Sequence, residues 1–284
     1  MNRLILTDLD NTIYNWVDYF APCFRAMVHV LARETKESED TLIAAFCQVY
    51  ELHGSVEYAF SVQELPIFKN KTDQEISELV RIARGAFRRV RDKRLAPYPT
   101  VRNTLRWIRS QGDWVVAITN APVAYAYKRL SKLQILNLFD GIAGKLDFPI
   151  PANRITEEIV GKSSKPFFDP RIVTWTFEPD ELKPSPKGYL RVIEDFKVPV
   201  NQVWVVGDNT QRDLAPAIQL GATGIWAKYG EVVDKKNLDT ILRLNSWRKD
   251  KILSQPIDES FIEIADFSDL TRILPATQLT FELL

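Results

Sequence analysis

"LILTDLDNT", residues Leu4 to Thr12, joins a short apolar run to two carboxylates that lie one residue apart. The apolar run predicts a buried strand over 4–7, so Asp8 and Asp10 lie where that strand ends. Two acids this close repel each other and are costly to keep ionised together. Taken alone, the pair is also typical of turns and helix caps, so the rest of the chain has to decide between the two interpretations.

Downstream of residue 97, apolar strands alternate with helical segments. Strands are predicted for "WVVAIT" (114–119), near "LFDGIAG", and for "QVWVVGD", "ATGIWA" and the start of "SFIEIADFSDLTRIL". Helices are predicted for 100–110, after "TNAP", and for "KGYLRVIEDF" and "QRDLAPAIQLG". This alternation predicts an α/β fold with a doubly wound parallel sheet.

Residues 15–96 have a different pattern. Apolar residues recur at three- and four-residue steps from Val17, over 39–52 and over 73–93, which predicts three helices. We therefore expect a helical cap of residues 15–96 inserted into a core made of 1–14 and 97–284. A second irregular stretch, about 144–180, is rich in Pro, Ser and charge. We expect it to be an ordered excursion with strand content at "IVTWTFEP".

The charge balance of the chain does not point to a nucleic acid or membrane partner. The 37 basic and 37 acidic residues cancel, so nothing overall favours a nucleic acid polymer or an anionic membrane. Cys23 and Cys47 lie in apolar helical surroundings without metal-like spacing, which favours free thiols and a cytoplasmic protein. The one local charge excess is "RIARGAFRRVRDKR" (81–94), either a solvated helix face or an anion-attracting rim of a substrate site. The oligomeric state stays open.

Polar side chains follow several of the predicted strands. Thr119 and Asn120 end the second, and Asp208 and Asp213 follow "VWVV", while "ELKPSP" supplies Lys183 upstream. Ligands of open α/β sheets bind beyond the carboxyl ends of the strands. Clustered carboxylates with few basic neighbours need a cation, and hard oxygen ligands select Mg²⁺. One acid can then attack phosphorus while a second moves the proton, with Thr119, Asn120 and Lys183 holding phosphoryl oxygens.

In order along the chain, "DLDNT", "TN", "KPSP" and "GDNTQRD" resemble the four motifs of the haloacid dehalogenase superfamily. The resemblance implies that Asp8 is the nucleophile and Asp10 the general acid/base. It implies that Thr119 and Lys183 bind the phosphoryl group. Mg²⁺ would be held by Asp8, by the backbone carbonyl of Asp10 and by Asp208, with Asp213 supporting the site. The helical insertion is similar to the family's helical cap.

The lysine has competitors in this sequence. Lys165 begins another "KP" pair inside the excursion, and Lys187 follows closely downstream. We prefer Lys183, because "KPSP" resembles the family pattern and leads directly into a predicted helix.

These features predict a Mg²⁺-dependent phosphatase that acts on a small phosphorylated metabolite through an aspartyl-phosphate intermediate. "DLDNT" followed by a helical insertion resembles the branch of pyrimidine 5′-nucleotidases and phosphoglycolate phosphatases, and a nucleoside monophosphate is the leading expectation for the substrate. The alternatives are a phosphomutase that uses the same residues and a non-catalytic binding or regulatory protein that keeps the fold. A dehalogenase is disfavoured, because carbon–halogen cleavage needs neither Asp10 nor Mg²⁺.

Overall fold

The computed structural model describes residues 2–153, 155–156, 168–244 and 261–275. These residues form a seven-stranded, all-parallel sheet with the strand order β4-β3-β2-β1-β5-β6-β7. The strands are β1 Leu4–Thr7, β2 Trp114–Pro122, β3 Gly141–Lys145, β4 Val173–Phe177, β5 Val203–Gly207, β6 Thr223–Ala227 and β7 Ile262–Ile264. The predicted doubly wound parallel sheet is therefore confirmed.

Three helices lie between β1 and β2 in the chain, as the apolar periodicity predicts. They are α1 Trp16–Thr35, α2 Glu39–His53 and α3 Asp73–Arg94. Each has a side-chain N-cap, provided by Asn15, Ser38 and Thr72 respectively, which satisfies one of the amides that a helix start leaves unpaired. One apolar cluster runs without a break from the sheet into these helices, so a separate cap domain over 15–96 stays a prediction.

The other helices of the described residues are α4 Val101–Ser110, α5 Val123–Lys132, α6 Lys187–Phe196, α7 Ala215–Gln219, α8 Lys235–Leu244 and α9 Leu270–Ile273. Of these, α4, α5 and α7 contact strands of the sheet, while α8 packs against α1 and α2 of the insertion. Along β1, Ile5 belongs to the apolar cluster on one face, while Leu4 and Leu6 belong to the cluster on the other. Because both faces are covered, every residue of β1 is buried, which is why a parallel strand reads as an unbroken apolar run.

The excursion adds a strand to the edge of the sheet. β4, the strand expected within "IVTWTFEP", pairs in parallel with β3 from Gly141↔Val173 to Lys145↔Phe177. A Cβ atom at Gly141 would lie 2.4 Å from the Trp175 ring, so a residue with a side chain does not fit here. The excursion is thus joined to the core at its downstream end; residues 154 and 157–167 lie outside the described residues.

Two elements differ from the sequence predictions. "QRDLAPAIQLG" is not one helix, because a π-helical turn at Thr210–Leu214 precedes the short α7. Pro216 at the start of α7 has no amide hydrogen to donate into a preceding helix. β2 also continues to Pro122 instead of ending at Thr119, with a register shift between Ile118 and Pro122.

Cys23 and Cys47 are free thiols, as expected. Within the described ranges, no helix is both long and apolar enough to cross a membrane.

Candidate active site

The three central strands bring their carboxyl ends together. β1 lies between β2 and β5, with Thr7 in register with Ala117 and with Val206. The backbone amide of Asp8 continues this pairing by donating to the Val206 carbonyl at 2.8 Å. Since all strands are parallel, the residues that follow them meet at one edge of the sheet.

A buried lysine joins two of the acids at this edge. Lys183 Nζ donates to Asp8 Oδ1, and it donates to Asp213 Oδ1 at 2.7 Å. All three side chains are at most 4% exposed. Burial alone would lower the pKa of Lys183, but the carboxylates of Asp213 and Asp8 raise it above its ordinary value. The ammonium group is therefore held in its charged form between the two acids.

Among the candidate lysines, the structure places Lys183 with the acids. Lys187 instead pairs with Asp180 at the surface, at 2.6 Å, and Lys165 lies outside the described residues. Asn120 holds the Lys183 backbone on both sides: its Oδ1 accepts from the Lys183 amide at 3.0 Å, and its Nδ2 donates to the Lys183 carbonyl at 2.8 Å. The Asn120 side chain thus positions the lysine, and its contact with phosphate stays a prediction.

Asp208 follows β5 and lies near the first two acids. Oxygen atoms of Asp8, Asp208 and Asp213 lie within 4.8 Å of one another. Burial raises the pKa of Asp208 to about 8, and the neighbouring carboxylates of Asp213 and Asp8 add to this rise. The pKa of Asp8 is raised to about 6, chiefly by burial, although Lys183 opposes the rise. In the absence of a cation, this cluster therefore favours bound protons.

Two carboxylate oxygens in the cluster lack a hydrogen-bond partner. They are Asp8 Oδ2 and Asp208 Oδ1, both fully buried. Buried polar atoms are rarely left unsatisfied, and carboxylate oxygens are the ligands that Mg²⁺ prefers. The donor set therefore fits a divalent cation between Asp8 and Asp208, with Asp213 turned towards Lys183.

Two glycines allow this close approach. A Cβ atom at Gly207 would lie 2.5 Å from the Cβ of Asp213, so only glycine leaves room for that acid under β5. Gly230 lies against the Asn11 carbonyl, and a Cβ atom there would come within 2.9 Å of the Asp208 Cβ. Asn11 has a positive φ of 62°, a conformation that asparagine tolerates better than most residues. It turns the chain directly after the acid pair.

Thr119 and Asp10 lie at the same edge of the sheet. Thr119 is buried near the end of β2, and its Oγ1 accepts from the Ala121 amide at 3.1 Å. Asp10 Oδ1 accepts from the Tyr14 hydroxyl at 2.6 Å and from Arg129 Nη1 at 3.2 Å. Asp10 is thus oriented by two donors that the motif does not contain.

Sequence reasoning gave no role to Arg212, whose guanidinium lies 3.9 Å from Asp208 Oδ1 and from Asp213 Oδ1, and it missed Arg129 and Glu57. Arg129 Nη2 donates to Glu57 Oε1, which also accepts from Trp16 Nε1 at 3.0 Å. The side chains of Arg129 and Glu57 are at most 10% exposed. The network runs from Asp10, through a core helix, to the helical insertion. Arg129 lies among the buried residues of α5, beside Ala126 and Leu130, so a charge on an apolar helix face was the available signal.

The chain matches the family described as haloacid dehalogenase-like hydrolase over residues 2–221. A phosphoglycolate phosphatase of Pseudomonas putida is 29% identical over 238 residues, which cover 80% of this chain and 70% of that protein. A 2-haloacid dehalogenase of Pseudomonas syringae superposes with a TM-score of 0.58 at 17% identity, over 96% of this chain and 98% of the other. A phosphatase of Thermococcus onnurineus from the same superfamily superposes at 0.54 and 20% identity, over 97% and 99%. At these identities the two solved structures show a shared fold.

Proposed function

The chain belongs to the haloacid dehalogenase-like hydrolases, and from that premise we propose that it is a Mg²⁺-dependent phosphatase that hydrolyses a small phosphate monoester through an aspartyl-phosphate intermediate. The observation that carries this proposal is the buried cluster of Asp8, Lys183, Asp213 and Asp208, in which two carboxylate oxygens lack a hydrogen-bond partner. Burying several charged groups together costs free energy, and clusters of this kind with perturbed pKa values are found mainly at functional sites.

Each residue has a role in the proposed reaction. Bound Mg²⁺, held by Asp8, Asp208 and the Asp10 carbonyl, would offset the charge of the acids and of the phosphoryl group. Asp8 attacks phosphorus, the ester bond breaks, and Asp10 gives a proton to the leaving oxygen. In the second step a water molecule loses a proton to Asp10 and attacks the phosphorus, which releases phosphate and restores Asp8. Thr119 and Lys183 hold the phosphoryl oxygens in both steps.

The helical insertion has a proposed part in this cycle. Glu57, from the insertion, binds Arg129, and Arg129 binds Asp10. In the described arrangement the insertion is therefore connected to the acid that moves the proton. We propose that residues 15–96 act as a cap whose closure excludes water and helps to select the substrate.

The test is phosphate release in Mg²⁺ and in EDTA, with a panel of phosphoglycolate, nucleoside monophosphates, sugar phosphates and phenyl phosphate. Asp8→Asn keeps the shape of the nucleophile and removes its charge. Asp180→Asn is a matched control, since Asp180 is exposed and pairs with Lys187 at the surface. We expect Mg²⁺-dependent release that is lost in Asp8→Asn and kept in Asp180→Asn. Release that survives Asp8→Asn would contradict the aspartyl-phosphate mechanism.

The panel also ranks the substrates. Phosphoglycolate is included because the Pseudomonas putida relative is a phosphoglycolate phosphatase, and nucleoside monophosphates because the first motif and insertion resemble those of nucleotidases. Mass spectrometry after rapid acid quench would detect the phosphoryl group on the peptide that contains Asp8. A bisphosphate product that sustains turnover would instead identify a mutase.

A further inference from the structure

Two adjoining cavities lie between the helical insertion and α5, beyond Arg129 from Asp10. The first, of about 240 Å³, is lined by Glu57 and Arg129 themselves. The second, of about 270 Å³, shares with it Ala59, Val62, Arg84, Tyr125 and Lys128. Arg129 therefore has one face on Asp10 and one on a cavity wall. The Arg129 side chain thus lies between the first cavity and Asp10, the acid that would protonate the leaving group.

The first cavity is strongly cationic. Its described lining contains six basic side chains and one acid, Glu57. The basic residues come from two facing helices, with Arg84, Arg88 and Arg91 on α3 and Lys128, Arg129 and Lys132 on α5. Like charges brought together across a partly dehydrated cavity repel each other. An anion bound between the two helices would therefore stabilise this arrangement.

Three of the six cations that line the first cavity already have partners. Asp92 accepts from Arg91 at 2.9 Å and from Lys132 at 2.8 Å, and Glu57 binds Arg129. At the wall shared by both cavities the situation differs. The second cavity is also lined by one acid, Asp147, whose Oδ1 accepts from the Ala124 amide at 3.0 Å. Among the residues that the structure describes, no carboxylate pairs with Arg84 or Lys128. Partial burial, reinforced by the charge of Arg88, lowers the pKa of the Arg84 guanidinium. These two side chains are positioned to bind an anion that is not part of the described protein.

Aromatic and apolar side chains form the rest of the wall. They include Tyr19, Phe87 and Tyr125 in the first cavity and Phe148 in the second. Rings of this kind contribute flat apolar surface, while an arginine can bind a carboxylate or phosphate through two parallel hydrogen bonds. The lining thus suits a body with apolar faces that ends in a negative charge.

We propose that these cavities bind the leaving group of the substrate, and that this leaving group carries its own carboxylate or phosphate, recognised by Arg84 and Lys128. The orientation of the ligand rests on the proposed phosphatase function, because the scissile phosphate must lie at Asp8. Of the two interpretations of the stretch 81–94, the proposal agrees with the anion-attracting rim: the anion is then the far end of the ester, which extends past Asp10 into the space between α3 and α5.

The test compares esters that differ only in the distal charge. Hydrolysis of 3- and 4-carboxyphenyl phosphate is measured beside the corresponding carbamoylphenyl phosphates, which have similar shape and no charge. We expect the better of the two carboxylates to exceed its amide in kcat/KM by about tenfold, the effect of one well-formed ionic contact. Arg84→Gln and Lys128→Gln should each lower this ratio by roughly three- to tenfold, because the carboxylate ester loses more in KM than the amide ester does.

Arg89→Gln is the matched control, because Arg89 is an exposed arginine of the same helix that lines neither cavity. It should keep the parent ratio within about twofold, since exposed charges at a distance are screened. Lys128 is also exposed, so its substitution should leave the fold intact even if Arg84→Gln does not. A parent ratio near one, or a ratio unchanged in both cavity variants, would overturn the proposal.

A binding experiment distinguishes the proposed anion site from the proposed phosphatase activity. Calorimetry compares 3- and 4-carboxybenzylphosphonate with benzylphosphonate, none of which can be hydrolysed at phosphorus. If no ester is hydrolysed, the proposed phosphatase is refuted, but tighter binding of a carboxylate that is lost in Arg84→Gln and Lys128→Gln still supports the anion site. Equal binding of all the phosphonates would overturn the anion site whatever the hydrolysis shows.

Discussion

Replacing Gly207 by alanine tests how tightly the acid cluster is packed. The new Cβ atom would lie 2.5 Å from the Cβ of Asp213 and 2.7 Å from its Cγ and Oδ2. Carbon atoms in ordinary contact are about 3.5–4.0 Å apart, so Asp213 has to withdraw by roughly 1 Å. That movement breaks its contacts with Lys183 Nζ, now at 2.7 Å, and with the Asn209 amide, now at 3.0 Å.

The expected cost follows from these contacts. Hydrogen bonds to charged groups contribute about 1.5–3 kcal/mol each, and overpacking a core costs about 1–3 kcal/mol. These terms overlap, because relaxing the clash is what breaks the bonds, and we expect a total loss of about 3 kcal/mol. For a chain of this size the melting temperature should fall by roughly 6–10 °C. The stabilisation by Mg²⁺ should also shrink, since Asp213 no longer holds Lys183 against Asp8.

Gly85→Ala is the matched control: the substitution is the same, but the expected change in stability has the opposite sign. Gly85 lies inside α3, and a Cβ atom there would meet only Arg89 Nη1, at 3.4 Å. Alanine in an open helix position should stabilise the protein by about 0.5–1 kcal/mol, because glycine loses more entropy on folding. Both variants are measured by differential scanning calorimetry in EDTA and in saturating Mg²⁺. A Gly207→Ala protein that melts within about 1 °C of the parent, with an unchanged Mg²⁺ shift, would refute this reasoning.

Three further predictions follow from the site and the sheet edge. Arg129→Met should cost about 3–5 kcal/mol in urea unfolding, because it leaves Glu57 buried without its partner, and adding Glu57→Met should recover most of this loss. Burial raises the pKa of Asp8 from 3.8 to about 6, so in the metal-free protein its contribution to stability is present below the unfolded pKa and is lost as the pH rises through about 6. Mg²⁺ needs ionised carboxyl groups, and burial raises the pKa of Asp208, the other proposed carboxylate ligand, to about 8. The stabilising effect of Mg²⁺ should therefore be small near pH 5 and should grow as the pH rises through about 6 to 8, as melting curves with and without Mg²⁺ would show. Gly141→Ala should displace the Trp175 ring, with a loss of about 1–3 kcal/mol and a change in tryptophan fluorescence.

Each of these has a distinct contradicting result. If the Arg129/Glu57 double variant is no more stable than Arg129→Met, the unpaired acid is not the source of the cost. A Mg²⁺ shift as large at about pH 5 as at about pH 8 would show that Asp8 and Asp208 are already ionised at the lower pH. Unchanged fluorescence in Gly141→Ala would show that the Trp175 ring does not lie on β3.

Much of the fold could be predicted from the sequence, because it depends on local patterns. The apolar run before Asp8 and the periodicity over 73–93 report burial within one strand or one helix. The order of strands and helices then restricts the sheet to parallel topologies. The acids at 8, 208 and 213 could be grouped in advance for the same reason, since the ends of parallel strands share one edge.

The contact between the lysine and the acids, and the network around Asp10, required the tertiary structure. The "KPSP" pattern favours Lys183 in the sequence, but Lys183 is 175 residues from Asp8, and only the fold brings their side chains into contact. Arg129 and Glu57 are 72 residues apart, and their pairing depends on how the helical insertion packs against α5. A sequence pattern states which face of an element is buried, but it does not state what that face meets. The partners of a buried charge are decided only when distant segments pack together.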